Sequence, residues 1–231
     1  MAKTRTKTRY VRELGVVRRW VGNSENWLNS FLELVPSTPN VISVVVMGSA
    51  VRARGHRRSD LDLLILYRGK RPSFDAPLEV DIRAYPVDSV EDKLARGHEI
   101  IGWAVKFGTA LHDRERLWHN LQSSWVERVP LPSAAEAAER GYKSLSSAQE
   151  MLDAGDDTAA EDLVLAALTQ FVRAKLIENR VFPASRPELP SQLRSISEND
   201  SLAQLLEDAM YSDNSASDLI NELKDIARPI T

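Results

Sequence analysis

The chain contains no cysteine. That excludes a disulfide framework, a thiol nucleophile and a zinc–thiolate centre, and it agrees with a reducing cytoplasm. No apolar run approaches the roughly 20 residues of a membrane span. The N-terminus, MAKTRTKTRYVRELG, is basic and lacks the apolar core that a secretion signal needs. The expectation is a soluble, cytoplasmic protein with no membrane partner. Nothing in the composition marks disorder, since 43% of the 231 residues are hydrophobic and 27% are charged. Histidine occurs only at 56, 98, 112 and 119, so the second half of the chain has none. No internal repeat is visible.

What is present divides the chain in two. Residues 1–132 carry 21 Lys and Arg against 15 Asp and Glu, whereas residues 133–231 carry 9 against 18. The first part reads as alternating strands and helices. A basic arm (1–19) runs into a helix through SENWLNSFLELV, with Trp27, Phe31 and Leu34 on one face, and PSTPN stops it. VISVVVM (41–47) is too short and too β-branched for a helix and reads as a central strand. LDLLILY (61–67) is a second strand. LEVDIRAY (78–85) is a third, with Leu78, Val80 and Ile82 on one side and Glu79, Asp81 and Arg83 on the other. Asp88 and Glu91 have capping-box spacing and start a helix, a further helix covers 100–107, and TALHD is a short strand or turn.

VPLPS marks the boundary. Ser133 and Glu136 begin a long helix as a capping box, and no strand pattern follows. Ala160, Val164, Ala167, Phe171 and Ala174 recur at helical spacing, which suits the central helix of a bundle. The domain expectation is therefore 1–132 and 133–231.

GSAVRARGHRRSDLDLLIL (48–66) carries the chemistry. A buried strand ends at Met47 and Gly48-Ser49 follows at once. Glycine lets a phosphate approach the backbone, free N–H groups at a helical turn favour an anion, and the serine hydroxyl adds a donor. Ser59-Asp60-Leu61-Asp62 then enters the next strand, with both carboxylates on one face. Paired carboxylates repel unless a cation lies between them, and magnesium favours such oxygen ligands together with substrate phosphates. A phosphate-cradling turn beside such a pair is what nucleotidyl transfer requires. Glu79 and Asp81 are the candidates for a further carboxylate: one would complete a two-magnesium site and the other would accept the proton of an attacking hydroxyl. The arginines at 52, 54, 57 and 58 are either triphosphate ligands or solvated loop residues.

Gly48-Ser49, nine intervening residues, then Ser59-Asp60-Leu61-Asp62 resembles the signature of the DNA polymerase β-type nucleotidyltransferase superfamily. The resemblance implies an α/β (α+β) domain with a small mixed sheet. It implies that Gly48, Ser49 and Ser59 contact a nucleoside triphosphate, that Asp60 and Asp62 bind Mg2+, and that Asp81 is the third acidic ligand. GSAV…SDLDLLIL followed by LEVDI is similar, more narrowly, to streptomycin/spectinomycin-type aminoglycoside adenylyltransferases, which makes Glu79 the base. The helical half resembles the HEPN and kanamycin-nucleotidyltransferase C-terminal type. It lacks the Arg and His pair of HEPN ribonucleases, so a cleft wall or a homodimer contact is its expected role. The expected reaction moves AMP from ATP to a hydroxyl, with a cationic aminoglycoside-like acceptor favoured by the acidic second half. Two alternatives stand beside it: transfer to a protein or tRNA, for which the basic arm is the only nucleic-acid signal, and a nucleotide-binding protein that has lost catalysis.

Overall fold

Seven consecutive buried residues, Val41–Met47, form the central strand β1 of a four-stranded sheet. The computed structural model describes residues 25–51, 60–198, 200–212 and 214–226. The basic arm, Ser59 and the arginines at 52, 54, 57 and 58 lie outside the described residues. Contacts divide the chain into two compact units that meet at Pro130 and Leu131.

In the first unit β1 pairs antiparallel with β2 (Leu61–Tyr67) on one side and with β4 (Thr109–Asp113) on the other. The edge strand β3 (Val80–Pro86) runs parallel to β2, so the sheet is mixed and ordered β3-β2-β1-β4. Both faces of β1 are covered, which explains why all but one of its seven residues are apolar. Helix α1 (Glu25–Leu34) lays Leu28, Phe31 and Leu32 on one face, against Val44, Val46, Leu63 and Ile65. The helices α2 (Val90–Ala95), α3 (Glu99–Phe107) and α4 (Leu117–Trp125) follow, and the last two pack on β1.

Local details depart from the periodicity in instructive ways. Leu34 is 52% exposed, because the buried stripe runs through Leu28, Phe31, Leu32 and Val35, which is the better helical spacing. Asp88 does not cap a helix: Val87–Ser89 form one tight turn, and α2 starts after Ser89 with no side-chain cap. The third strand begins at Val80 rather than Leu78. The Val80 N–H donates to the Pro77 carbonyl (3.0 Å), closing a turn that leaves Leu78 and Glu79 exposed.

One buried polar residue interrupts β1. Ser43 donates its hydroxyl to Asp113 Oδ1 (3.0 Å), and the same carboxylate accepts the Trp118 and His119 N–H groups (2.8 and 3.0 Å). Asp113 thus satisfies a core hydroxyl and caps the start of α4 together.

The second unit is helical. The long helices α5 (Ala134–Asp153) and α6 (Asp157–Glu178) form an antiparallel hairpin turned by Gly155 at φ +79°. The Ser133 side chain accepts the Glu136 N–H, and Asp156 accepts that of Ala159, so both starts are capped. Shorter helices α7 (Leu189–Arg194), α8 (Ser201–Tyr211) and α9 (Ala216–Ile226) complete a core in which Val164, Leu168, Val172 and Leu176 of α6 are fully buried. Ala160, Val164, Ala167, Phe171 and Ala174 all lie inside. No helix among the described residues is long and apolar enough to cross a membrane.

Candidate active site

Register brings the carboxylates together. Met47 at the end of β1 pairs with Asp62 on β2, and Asp62 pairs with Asp81 on β3. In neighbouring strands, about 4.8 Å apart, paired residues project to the same face, so Asp62 and Asp81 stand side by side. The pairing depends on the parallel β2–β3 alignment that begins at Leu61 and Val80, where the Leu61 N–H donates to the Glu79 carbonyl (2.8 Å).

Gly48 supplies the room. It follows Met47 at φ +71°, a left-handed conformation that disfavours any side chain. A Cβ placed there would lie 2.2 Å from Asp62 Oδ2. The Asp62 carboxylate therefore rests against the bare α-carbon of Gly48, and Gly48–Ala50 continue as one tight helical turn carrying Ser49.

The electrostatics are only partly relieved. Burial is the main cause that raises the Asp62 carboxyl to about 6, and the charges of Asp81 and Asp60 add to it while Arg83 opposes them. Arg83, two residues along the same face of β3, pairs with Asp81 through Nη2 and Oδ2 at 2.6 Å. Sequence patterning placed Arg83 on the face of the acids but did not single it out. Spacing of opposite charges at i, i+2 on an edge strand is the signal that would have done so.

The other expected site residues are less gathered. Asp60 is exposed just before β2, and Glu79 is exposed in the turn before β3. Among the described residues no group of three or more His, Cys, Asp or Glu side chains converges as a self-sufficient metal cage. Magnesium does not require one, because it binds through one or two carboxylates and completes its shell with water and phosphate oxygens. The apposed carboxylates of Asp62 and Asp81, the first with its proton affinity raised mainly by burial, fit such an ion. Asp62 and Asp81 would hold it, with Asp60 two residues before Asp62.

Two histidines among the described residues, His98 and His112, take structural parts. His98 caps α3, its Nδ1 accepting the Ile101 N–H (3.5 Å), and its ring meets Tyr85 edge-on. His112 pairs with Val44 in the sheet, and burial lowers its proton affinity. Trp103 and Trp118 are core residues.

Residues 25–130 match the family described as a nucleotidyltransferase domain. No curated protein matches the sequence. Among solved structures, a nucleotidyltransferase-like protein from Exiguobacterium sibiricum is similar at 15% identity and a TM-score of 0.40, over 86% of this chain and 69% of that one.

Proposed function

We propose that the chain, whose residues 25–130 match a nucleotidyltransferase domain, transfers a nucleoside monophosphate from a triphosphate to a hydroxyl acceptor, with ATP as donor and an aminoglycoside-like small molecule as acceptor. The observation that carries the reading is the alignment of Gly48, Asp62 and Asp81 across three adjacent strand ends. The family generally uses divalent metal ions, and bound Mg2+ would neutralise charge on the triphosphate and polarise the α-phosphate.

The chain's own residues have separate parts. Asp62 and Asp81, assisted by Asp60, would hold the cation. Gly48 lets the triphosphate tail close on the backbone, and the Ser49 and Ser59 hydroxyls donate to its oxygens. The acceptor oxygen attacks the α-phosphorus in line, the bond to the bridging oxygen breaks, and pyrophosphate departs. The hydroxyl proton goes to a carboxylate. Arg83 already holds Asp81, whereas the exposed Glu79 side chain has no ion pair among the described residues, which favours Glu79 as the base. The acidic second unit, with 9 Lys and Arg against 18 Asp and Glu over residues 133–231, favours a cationic acceptor.

The test is label transfer from α-labelled ATP, CTP, GTP and UTP, with magnesium, to an aminoglycoside panel, total tRNA and protein. The expected result is label from ATP on an aminoglycoside, lost in an Asp60→Asn, Asp62→Asn double variant. Label on tRNA or protein alone would move the acceptor to a macromolecule. Transfer retained by the double variant would refute the site.

A further inference from the structure

We propose that Arg83 is a resident counter-ion of Asp81 that a divalent cation displaces, and that the released guanidinium then takes a phosphate of the incoming nucleotide. The inference rests on the cation site proposed above and assigns a part to a residue outside it. Among the described residues Arg83 is the one cation paired with the carboxylates at this end of the sheet. It contacts a single oxygen, Asp81 Oδ2, at 2.6 Å, and both side chains are about two-fifths exposed (44% and 42%). The pair can therefore open without disturbing the core.

The geometry makes the competition direct. Asp81 stands opposite Asp62 in the β2–β3 register, and Arg83 stands opposite Leu64, one residue pair further along the same face. Without a cation, the guanidinium offsets part of the repulsion between the two carboxylates. A hard cation bridging Asp62 and Asp81 removes that repulsion and needs carboxylate oxygen density that Arg83 now holds. Once displaced, the guanidinium remains on β3 within one side-chain length of the cation. A planar fork of donors beside bound phosphates pairs with them readily. Arg83 then trades one anionic partner for another, which couples cation binding to nucleotide binding: a cation alone pays the displacement, and a cation with phosphate recovers it.

Helix α2 provides an internal control. Its Lys93 lies 5.6 Å over the ring of Tyr85, which is four residues beyond Asp81 on β3. Its removal takes away one positive charge from the unit without touching Asp81.

The experiment is Mn2+ binding to the full chain, after treatment with chelator, followed by electron paramagnetic resonance, with and without inorganic tripolyphosphate as a base-free stand-in for the nucleotide tail. Arg83→Gln is expected to bind Mn2+ alone about two- to fivefold more tightly than wild type, the range for a half-exposed ion pair. It is expected to bind the Mn2+–tripolyphosphate complex more weakly, while Lys93→Gln follows wild type in both. Asp81→Asn should lose most Mn2+ affinity. Unchanged or weaker Mn2+ binding in Arg83→Gln, with Asp81→Asn still defective, would overturn the counter-ion role alone. The same gain in Lys93→Gln would overturn it too, by reducing the effect to net charge. Tighter binding of both Mn2+ and the complex in Arg83→Gln would overturn the transfer to phosphate. Mn2+ binding equal in wild type and Asp81→Asn would overturn the cation site itself.

Discussion

Gly48 and Asp62 share one space: the Oδ2 atom of Asp62 lies where a Cβ on residue 48 would have to be, 2.2 Å from it. The glycine at the end of β1 and the carboxylate on β2 are thus mutually specified. Gly48→Ala is expected to lose stability by at least the roughly 1–2 kcal/mol of placing a side chain in the left-handed region, and to displace the Asp62 carboxylate. Chemical denaturation measures the first effect, and label transfer the second. In an Asp62→Gly background the clash is gone, so the same substitution should cost less there. Equal costs in both backgrounds would show that the two residues do not touch.

The raised proton affinity of Asp62 sets a pH dependence of definite sign. Its folded value, about 6, exceeds the ordinary 3.8, so the native state holds a proton more tightly than the unfolded state. Stability contributed by this group is therefore present below pH 4 and is lost as pH rises to about 6. Asp62→Asn, neutral throughout, should match wild type near pH 4 and exceed it above pH 6, by on the order of 2–3 kcal/mol in chelator. Mg2+ should raise the wild-type melting temperature at pH 8 and leave that of Asp62→Asn unchanged. A variant less stable than wild type at pH 8 in chelator would contradict this assignment.

Much of the site was legible in the sequence because strand alternation is a strict period. Asp62 lies in an otherwise apolar strand, and the β2–β3 register pairs it with Asp81. What alternation could not foresee was the turn at Pro77. Leu78 and Glu79 fit a strand pattern, yet the hydrogen bond from Val80 N–H to the Pro77 carbonyl starts the strand two residues later. The arrangement of Gly48 against Asp62 and the Arg83 pair depend on which strands adjoin, and that is a tertiary fact. Helical spacing likewise assigned the α6 core faithfully but miscounted Leu34, one residue short of the buried stripe that ends at Val35. The acid at 88 had capping spacing, but the chain enters α2 through a tight turn instead.

The turn yields its own prediction. Leu78 is fully exposed, and the Glu79 side chain is exposed with no ion pair among the described residues. Glu79→Gln should leave stability within about 0.5 kcal/mol of wild type and lower turnover by roughly 10²–10⁴, with little change in Mn2+ affinity. Steady-state kinetics beside a denaturation curve separates the two. A kcat within twofold of wild type would transfer the base role to Asp81.

Asp113 provides a contrast at the opposite end of β1. Its carboxylate accepts from Ser43, Trp118 and His119, and its loss strands a buried hydroxyl and uncaps α4. Asp113→Ala should cost about 2–4 kcal/mol, with Ser43→Ala milder and the pair non-additive. Mn2+ binding should be unchanged in the folded fraction. Urea denaturation of both single variants and the double variant measures the coupling, and strict additivity would refute the shared hydrogen bond.

The most direct measurement of the central claim is the rate of α-label transfer by Asp81→Asn beside wild type, with circular dichroism showing equal fold. Asp81 is half-exposed on an edge strand, so the substitution keeps shape and removes only charge. A fall of about 10²-fold or more, of the size that loss of electrostatic stabilisation at a reacting phosphate brings, is the expected result. Transfer at the wild-type rate would place the chemistry somewhere other than the Gly48, Asp62 and Asp81 cluster.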